Sequence, residues 1–261
     1  MNNSVSAVVY NVDLNADVGE GMPSDAELIP LLTSANIACG EHAGDPDTMR
    51  AAVRLCIKHG VKIGAHPGYA DKENFGREAK DLPDAEIRRL INDQVAALAA
   101  IAKEEGGELS HVKPHGALYH LSAEDPRVAL QVAYAVSAFD KRLVLIGLSG
   151  SHSLNSARNV GVRSAAEGFI ERRYEADGKL VARSEPDALI DGHDEAVAQA
   201  LSLVLESRVK TRTGEVVPVL VDTLCVHGDR DDAVELARAT RAALEKAGVQ
   251  ITALGRRDSY T

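Results

Sequence analysis

The sequence has no tryptophan, and its other aromatic residues are three Phe and six Tyr. So few rings provide no evident platform for stacking nucleic-acid bases or long glycans. Cysteine is scarce as well, because Cys39, Cys56 and Cys225 are too few and too widely spaced for a disulfide framework or a CxxC zinc site. We therefore expect a protein of a reducing, cytoplasmic environment.

Long apolar runs and an excess of basic charge are also missing. No run approaches the roughly 18 apolar residues that a membrane span needs, and the N-terminus lacks a basic segment followed by an apolar one. The 29 basic and 39 acidic residues give a net charge of −10. Because phosphate groups attract basic surfaces, this balance disfavours nucleic-acid and anionic-membrane partners.

Short, β-branched apolar runs alternate along the 261 residues with stretches of helical periodicity. The hydrophobic fraction, 45%, is enough for a sizeable core. The predicted strands are 8–14, 35–38, 61–65, 109–112, 143–148, 162–166, 220–226 and 249–254. The predicted helices are 47–59, 84–105, 126–138, 194–206 and 231–247.

This alternation is typical of an α/β protein in which helices cover a parallel sheet. Seven or eight such units fit a closed or nearly closed (β/α) barrel, and a doubly wound open sheet is the alternative. No linker rich in Pro, Gly or Ser divides the chain, so we expect one domain over residues 1–261. The segment 209–220 predicts a small hairpin insertion with its turn at Thr213 and Gly214.

Polar residues recur at the ends of the predicted strands. In chain order they are Asp13, Asn15, Asp17, Asn36, Cys39, His42, Asp45, His66, Lys113, His115, His227 and Asp229. A lone histidine beside Gly or Pro is usually a turn residue, but histidines at several strand ends favour a shared site. In a (β/α) barrel these ends open on one face, where catalytic groups gather.

Two kinds of chemistry suit this set of residues. A divalent metal could activate water or polarise a carbonyl, with Asp13, His42, His66 and His115 as candidate ligands. No HExxH motif is present, so such a site would be assembled from several strands. The metal-free alternative uses Asp13 or Asp17 as general base, His115 as acid, and Lys113 facing a carboxylate or oxyanion. No nucleotide-binding loop is recognisable.

Five segments, in the same order, resemble the LamB/YcsF family, the A subunits of bacterial ATP-dependent 5-oxoprolinase. They read DLNADVGEG, SANIACGEHAGDP, GAHPGYADKENFGR, HVKPHGALYH and CVHGD, and RRYEADGKLVAR at 172–183 also fits. The resemblance implies a seven-stranded barrel of the glycoside hydrolase/deacetylase type. It also implies ATP-driven cleavage of 5-oxo-L-proline to L-glutamate together with B and C subunits, which would handle ATP wholly or partly.

Carried onto matching positions, the resemblance implies a set of site residues. We assign catalytic roles to Asp13, Asp17, Lys113 and His115, and substrate binding to Asn15, Asn36, His42, Asp45, His66 and His227. Glu41 departs from the family, which commonly has Phe there; we expect it to point outward because His42 beside it points inward. A stand-alone metal-dependent amide hydrolase or deacetylase and a non-catalytic substrate-binding subunit remain the alternatives.

Overall fold

The structure, a computed structural model, describes residues 9–254. Its strands are β1 (Asn11–Val18), β2 (Ser34–Ala38), β3 (Lys62–His66), β4 (Leu109–Val112), β5 (Val144–Leu148), β6 (Arg163–Phe169), β7 (Arg208–Lys210), β8 (Val216–Pro218), β9 (Thr223–Val226) and β10 (Gln250–Ile251). Strands β1 to β6 pair in parallel with their neighbours, and β9 pairs with both β6 and β1. The sheet is therefore a closed barrel of seven parallel strands, which confirms the predicted fold and excludes the open sheet.

The described residues form eight α-helices around this barrel. They are α1 (Asp25–Leu28), α2 (Pro46–His59), α3 (Asp84–Glu104), α4 (Gly116–Glu124), α5 (Pro126–Phe139), α6 (His152–Asn159), α7 (His193–Glu206) and α8 (Ala233–Lys246). All five predicted helices are present with small shifts at their ends. The three that were not predicted are short, and α6 is rich in Ser and Asn, which have weak helix propensity. No helix among residues 9–254 is long and apolar enough to cross a membrane.

The first strand differs most from its prediction. The predicted strand 8–14 begins at Val8, outside the described residues, whereas β1 runs from Asn11 to Val18. Its residues alternate: Val12, Leu14, Ala16 and Val18 belong to the apolar cluster under the helices. Asp13, Asn15 and Asp17 therefore lie on the other side of the strand, toward the barrel interior.

Two further strands differ from their predicted bounds, and this changes which residues form the barrel wall. Strand β6 continues past its predicted end and so includes Glu167 and Phe169. The last predicted strand, 249–254, is reduced to β10, which pairs with Asn11 and Val12. The following residues of β1 pair with β9 instead, so β10 lies beside the barrel and is not part of its wall.

Two segments between β6 and β9 lie outside the barrel wall. Strands β7 and β8 form a separate antiparallel pair within the segment where the hairpin is expected. The segment 170–192 is held by isolated bridges, Arg172 with Leu189 and Tyr174 with Leu180. The segment 170–192 matters for the site, because several of its residues line the cavity at the end of the barrel.

Candidate active site

A cavity of about 350 Å³ lies at the carboxyl ends of the barrel strands. Its charged and titratable lining residues are Asp17, Glu20, His66, Arg77, Lys113, His115, His120, Glu124, Arg172, Arg183, His227 and Asp229. Tyr119, Phe169 and Leu180 supply apolar wall on one side. This concentration of ionisable groups in one concave site is typical of an active site.

Five of the residues predicted from sequence line this cavity. They are Asp17, His66, Lys113, His115 and His227. His42 lies directly behind, with its ring stacked on that of His115 at a centroid distance of 3.8 Å. The other four candidates, Asp13, Asn15, Asn36 and Asp45, are not brought to the cavity surface.

Asp13 lies deep in the barrel, near the amino end of β1. Its carboxylate accepts hydrogen bonds from Ser34 Oγ at 2.6 Å and Thr223 Oγ1 at 2.5 Å, and a third from Thr33 Oγ1. Burial raises the pKa of Asp13 even though these donors oppose the shift. The structure thus gives Asp13 a role in closing the barrel between β1, β2 and β9, and does not place it as a base or metal ligand.

Asn15 and Asn36 form a polar layer beneath the cavity. Asn15 Nδ2 donates to Glu167 Oε1 at 3.1 Å and to Thr223 Oγ1 at 2.7 Å. Asn36 Nδ2 donates to Asn15 Oδ1 and to Asp17 Oδ1 at 2.9 Å. Both asparagines are fully buried. They hydrogen-bond to the acidic groups above them and do not line the cavity, so their position does not support the predicted contact with substrate.

Asp45 lies outside the cluster and is exposed. Its side chain accepts from the backbone N–H groups of Asp47 and Thr48, and Thr48 Oγ1 bonds back to the backbone of Asp45. This reciprocal capping box starts α2. The position of Asp45 therefore does not support the predicted role in substrate binding. Glu41, in the same loop, is also exposed.

Lys113 carries a buried positive charge at the floor of the cavity. Its Nζ lies 2.9 Å from Asp17 Oδ1 and 2.9 Å from Glu167 Oε1. Although burial disfavours the ammonium, these carboxylates hold the pKa of Lys113 well above its usual value. Burial likewise opposes the ionisation of Asp17, but His66 and Lys113 hold its pKa well below the usual range. The floor is thus an ion-pair network with fixed charges.

The rings of His66 and His115 have tautomers set by backbone carbonyls. His66 Nδ1 donates to Lys113 O at 2.7 Å, and His115 Nε2 donates to Phe75 O at 2.8 Å. A carbonyl oxygen only accepts, so these nitrogens carry the hydrogens. The remaining nitrogens, His66 Nε2 and His115 Nδ1, lie 3.0 Å apart. When both rings are neutral, two lone pairs face each other and call for a shared cation.

Glu20 and His42 complete this cluster. Glu20 Oε1 lies 3.3 Å from His42 Nε2 and 3.5 Å from His115 Nδ1. One ligand atom from each of Glu20, His42, His66 and His115 lies within 4.8 Å of the other three. His42 is fully buried, and its Nδ1 has no hydrogen-bond partner among the described residues. Three imidazoles and one carboxylate form a donor set that suits zinc or a similar divalent ion.

The loop that holds His115 is conformationally strained. Phe75, whose carbonyl accepts from His115, has a φ of 55°, a value that is costly for an aromatic residue. Gly76 has a φ of 63°, and a Cβ there would lie 2.8 Å from His42 Cβ. The tight packing of this loop onto His42 and His115 fixes both rings.

His227 forms a hydrogen-bonded pair with Glu171, which follows β6. His227 Nδ1 donates to Glu171 Oε1, and the buried carboxylate has its pKa lowered by the neighbouring imidazole against the effect of burial. The His227 ring stacks on Phe169 at a centroid distance of 5.3 Å. Since Nδ1 carries the hydrogen, Nε2 is the nitrogen left to act as a base on the cavity side.

The residues Glu20, Glu171 and Arg172 were not predicted as part of the site, and Glu167, at the end of the sixth predicted strand, was given no role in it. Glu20 had a signal, because it stands between two glycines directly after the polar alternation of β1. Glu167 directly follows the predicted strand 162–166, but only the longer β6 shows that it belongs to the barrel wall, and Glu171 lies two residues beyond the end of β6. Arg172 opens the segment RRYEADGKLVAR, which fits the family, but only the folded segment 170–192 shows that its side chain reaches the cavity.

Comparisons with known proteins agree with this fold. The chain is 49% identical over 249 residues to a protein of Methylococcus capsulatus named as the A subunit of 5-oxoprolinase, covering 94% of this chain and 96% of that protein. The crystal structure of a lactam utilization protein from Thermus thermophilus superposes with a TM-score of 0.89 at 45% identity, covering 94% and 100% of the two chains.

A more distant structure shares the barrel alone. An Enterococcus faecalis protein named for cellobiose-phosphate cleavage superposes with a TM-score of 0.56 at 14% identity, covering 94% of this chain and 98% of the other. The model of the LamB/YcsF family matches residues 12–259, nearly the whole chain. The resemblance found in the sequence is therefore confirmed, and the chain belongs to the LamB/YcsF family.

Proposed function

We propose that this chain is the A subunit of a 5-oxoprolinase and provides the site where the lactam is opened. The reaction is the cleavage of 5-oxo-L-proline to L-glutamate coupled to ATP hydrolysis, in a cytoplasmic complex with B and C subunits. The observation that carries the proposal is a cavity with a fixed ammonium, a His–Glu pair and a histidine cluster. It occurs in a chain 49% identical to a protein named as the A subunit of 5-oxoprolinase.

Opening an unstrained lactam requires activation of water and stabilisation of the oxyanion that develops on the carbonyl. We assign the first role to His227, whose Nε2 can accept a proton while Glu171 holds Nδ1–H and stabilises the imidazolium. Lys113 supplies fixed positive charge near the carbonyl oxygen. These roles replace the expectation that Asp13 or Asp17 is the base, because Asp13 is buried and Asp17 is ion-paired.

ATP enters this proposal as a co-substrate of the complex. The chain has no recognisable nucleotide loop, so we assign ATP wholly or partly to the B and C subunits. Coupling is reasonable because a five-membered lactam is a poor electrophile. Its activation by ATP would lower the barrier that His227 and Lys113 then have to overcome.

The histidine cluster is suited to hold a divalent metal. Its ligands would be Glu20, His42, His66 and His115. A bound cation would accept the two lone pairs that face each other on His66 Nε2 and His115 Nδ1. Such an ion would polarise the lactam carbonyl or lower the pKa of a water molecule. This cluster is also the observation that favours the second candidate function, a metal-dependent amide hydrolase that acts alone.

One experiment separates the two functions. The three purified subunits are incubated with 5-oxo-L-proline and ATP, and glutamate is measured with each component omitted in turn. We expect glutamate only in the complete mixture, and much less with His227→Gln. Glutamate release that does not depend on this chain contradicts the proposal. ATP-independent amide hydrolysis by the chain alone, abolished by a chelator, would establish the second candidate.

A further inference from the structure

The cavity wall contains a buried arginine, Arg172, that forms no ion pair with the described residues. Arg172 is 1% exposed, and its side chain lines the cavity. Its Nη2 donates to the backbone carbonyl of Val181 at 2.5 Å, while its Nε has no hydrogen-bond partner among residues 9–254. No carboxylate of those residues lies within ion-pair distance of this guanidinium, although 23 such pairs occur elsewhere. A buried guanidinium without an anion is unfavourable.

Arg183 places a second positive charge beside it. Burial and the charge of Arg183 lower the pKa of Arg172 to about 10. Arg183 also lines the cavity, and its nearest carboxylate oxygen, on Asp229, is 3.6 Å away. That carboxylate is already bound at 2.6 Å by Arg77. Arg183 therefore shares one carboxylate with Arg77, while Arg172 has none within ion-pair distance among residues 9–254.

The apolar wall beside Arg172 and Arg183 favours the binding of an anion. Tyr119, Phe169 and Leu180 pack together on the same side of the cavity, so an anion there would be shielded from water on its apolar side. In such an environment a guanidinium binds carboxylate or phosphate oxygens more strongly than at an open surface. A lysine at position 172 would carry the charge but would lack the planar fork of donors that matches two oxygens at once.

We propose that Arg172 and Arg183 form an oxyanion-binding subsite within the cavity. Its ligand is a carboxylate or phosphate group of the bound molecule. The identification of this anion as the carboxylate on the ring of 5-oxoproline rests on the proposed function. The inference that Arg172 and Arg183 bind an anion does not depend on it. The subsite makes these arginines determinants of specificity, since a neutral lactam lacks the group that they bind.

The test measures binding to the full chain by calorimetry with three probes: 5-oxo-L-proline, 2-pyrrolidone, which is the same lactam without the carboxylate, and inorganic phosphate. We expect 5-oxo-L-proline to bind at least about tenfold more tightly than 2-pyrrolidone. Arg172→Gln and Arg183→Gln should remove this difference. Arg173→Gln is the matched control, because Arg173 pairs with Glu195 and does not line the cavity.

The outcomes distinguish the subsite from the proposed function. Equal affinities for the two lactams, unchanged by either substitution, overturn the subsite and leave the lactam site intact. Phosphate binding that depends on Arg172 and Arg183, with no binding of either lactam, supports the subsite and contradicts the proposed function. Absence of binding for all three probes overturns both. If Arg172→Gln does not fold, Arg183→Gln, at a more exposed position, provides the same comparison.

Discussion

His66 Nε2 and His115 Nδ1 lie 3.0 Å apart, and the opposite nitrogen of each ring donates to a backbone carbonyl oxygen. The two rings meet because β3 ends at His66 and His115 follows the adjacent β4. Burial and the charge of His66 lower the pKa of His115 to about 3, so His115 is neutral at neutral pH. A cation shared by the two nitrogens would relieve the contact between their lone pairs, and Asp17 Oδ2, 3.3 Å from His66 Nε2, adds negative charge beside it. That cation is either a proton or a metal ion.

The first prediction decides between these two cations. We expect the purified chain to bind one divalent ion, measured by elemental analysis and by titration of the metal-free protein with zinc. His66→Gln should weaken binding by more than the roughly 10–100-fold that loss of an outer-shell partner costs. His59→Gln, at an exposed position, is the control. Equal metal content in all three proteins would leave the proton as the shared cation.

The second prediction concerns the buried ammonium. Lys113→Met removes the cation between Asp17 and Glu167 and leaves two carboxylates facing each other. Loss of one partner from a buried ion pair costs about 3–5 kcal/mol, so the free energy of unfolding in urea should fall by that amount and activity should be lost. Adding Glu167→Gln should restore part of the stability. Lys62→Met, at an exposed position, should change neither; a similar loss there would contradict the explanation.

The barrel itself was predictable because its signal is local. Helices such as α2 and α3 have apolar faces and end at glycine-rich turns, and the strands between them are continuous apolar runs. These features depend on residues close in sequence, so alternation of strands and helices could be recognised without the structure. The number of strands could not be fixed in this way, because only pairing shows that β10 lies outside the barrel.

The site was only partly predictable, for the same physical reason. Histidines at strand ends indicated the correct face of the barrel. Proximity to a strand end does not determine whether a side chain points into the cavity, into the barrel core or toward solvent. Asp13 and Asn15 alternate with apolar residues inside β1 and point into the barrel, whereas Asp45 caps a helix. Arg172 and Glu171 reach the site through tertiary folding of the segment after β6, which no local pattern records.

The third prediction tests the role of Asp45 as a helix cap. Asp45→Ala removes the acceptor for the backbone N–H groups of Asp47 and Thr48 at the start of α2. The free energy of unfolding should fall by about 1 kcal/mol, with unchanged activity of the assembled complex. Asp45→Asn, which keeps an accepting oxygen, should retain most of the stability. A large rise in KM for 5-oxoproline would instead support the original assignment to substrate binding.

The fourth prediction concerns Gly64, which faces His111 inside the barrel. A Cβ at Gly64 would lie 1.9 Å from His111 Nε2, the nitrogen that bonds Asn36 Oδ1. Gly64→Ala should therefore displace the ring and cost at least about 1–3 kcal/mol, as overpacking does. In combination with His111→Ala the cost should largely disappear, which a double-mutant cycle of unfolding energies would show. Additive effects would mean that the ring does not occupy this space.

The last prediction follows from the titration of the same histidine. Burial and the charge of Lys113 lower the pKa of His111 from 6.5 to about 3. Between these values the unfolded chain binds a proton that the folded chain does not, so the stability contributed by neutral His111 is lost as the pH falls from 6.5 toward 3. The slope from this group alone is about 1.4 kcal/mol per pH unit.

Urea unfolding of the wild type and His111→Gln from pH 4 to 8 measures this effect. The variant should be less stable at pH 7, because glutamine replaces a closely packed ring, yet its stability should fall less steeply on acidification. His59→Gln, at an exposed position, should keep the slope of the wild type. Parallel slopes for the wild type and His111→Gln would mean that folding does not shift the pKa of His111, which would contradict the neutral ring assigned to the folded barrel. The difference in slope therefore reports directly on the charge carried inside the barrel beneath the active site.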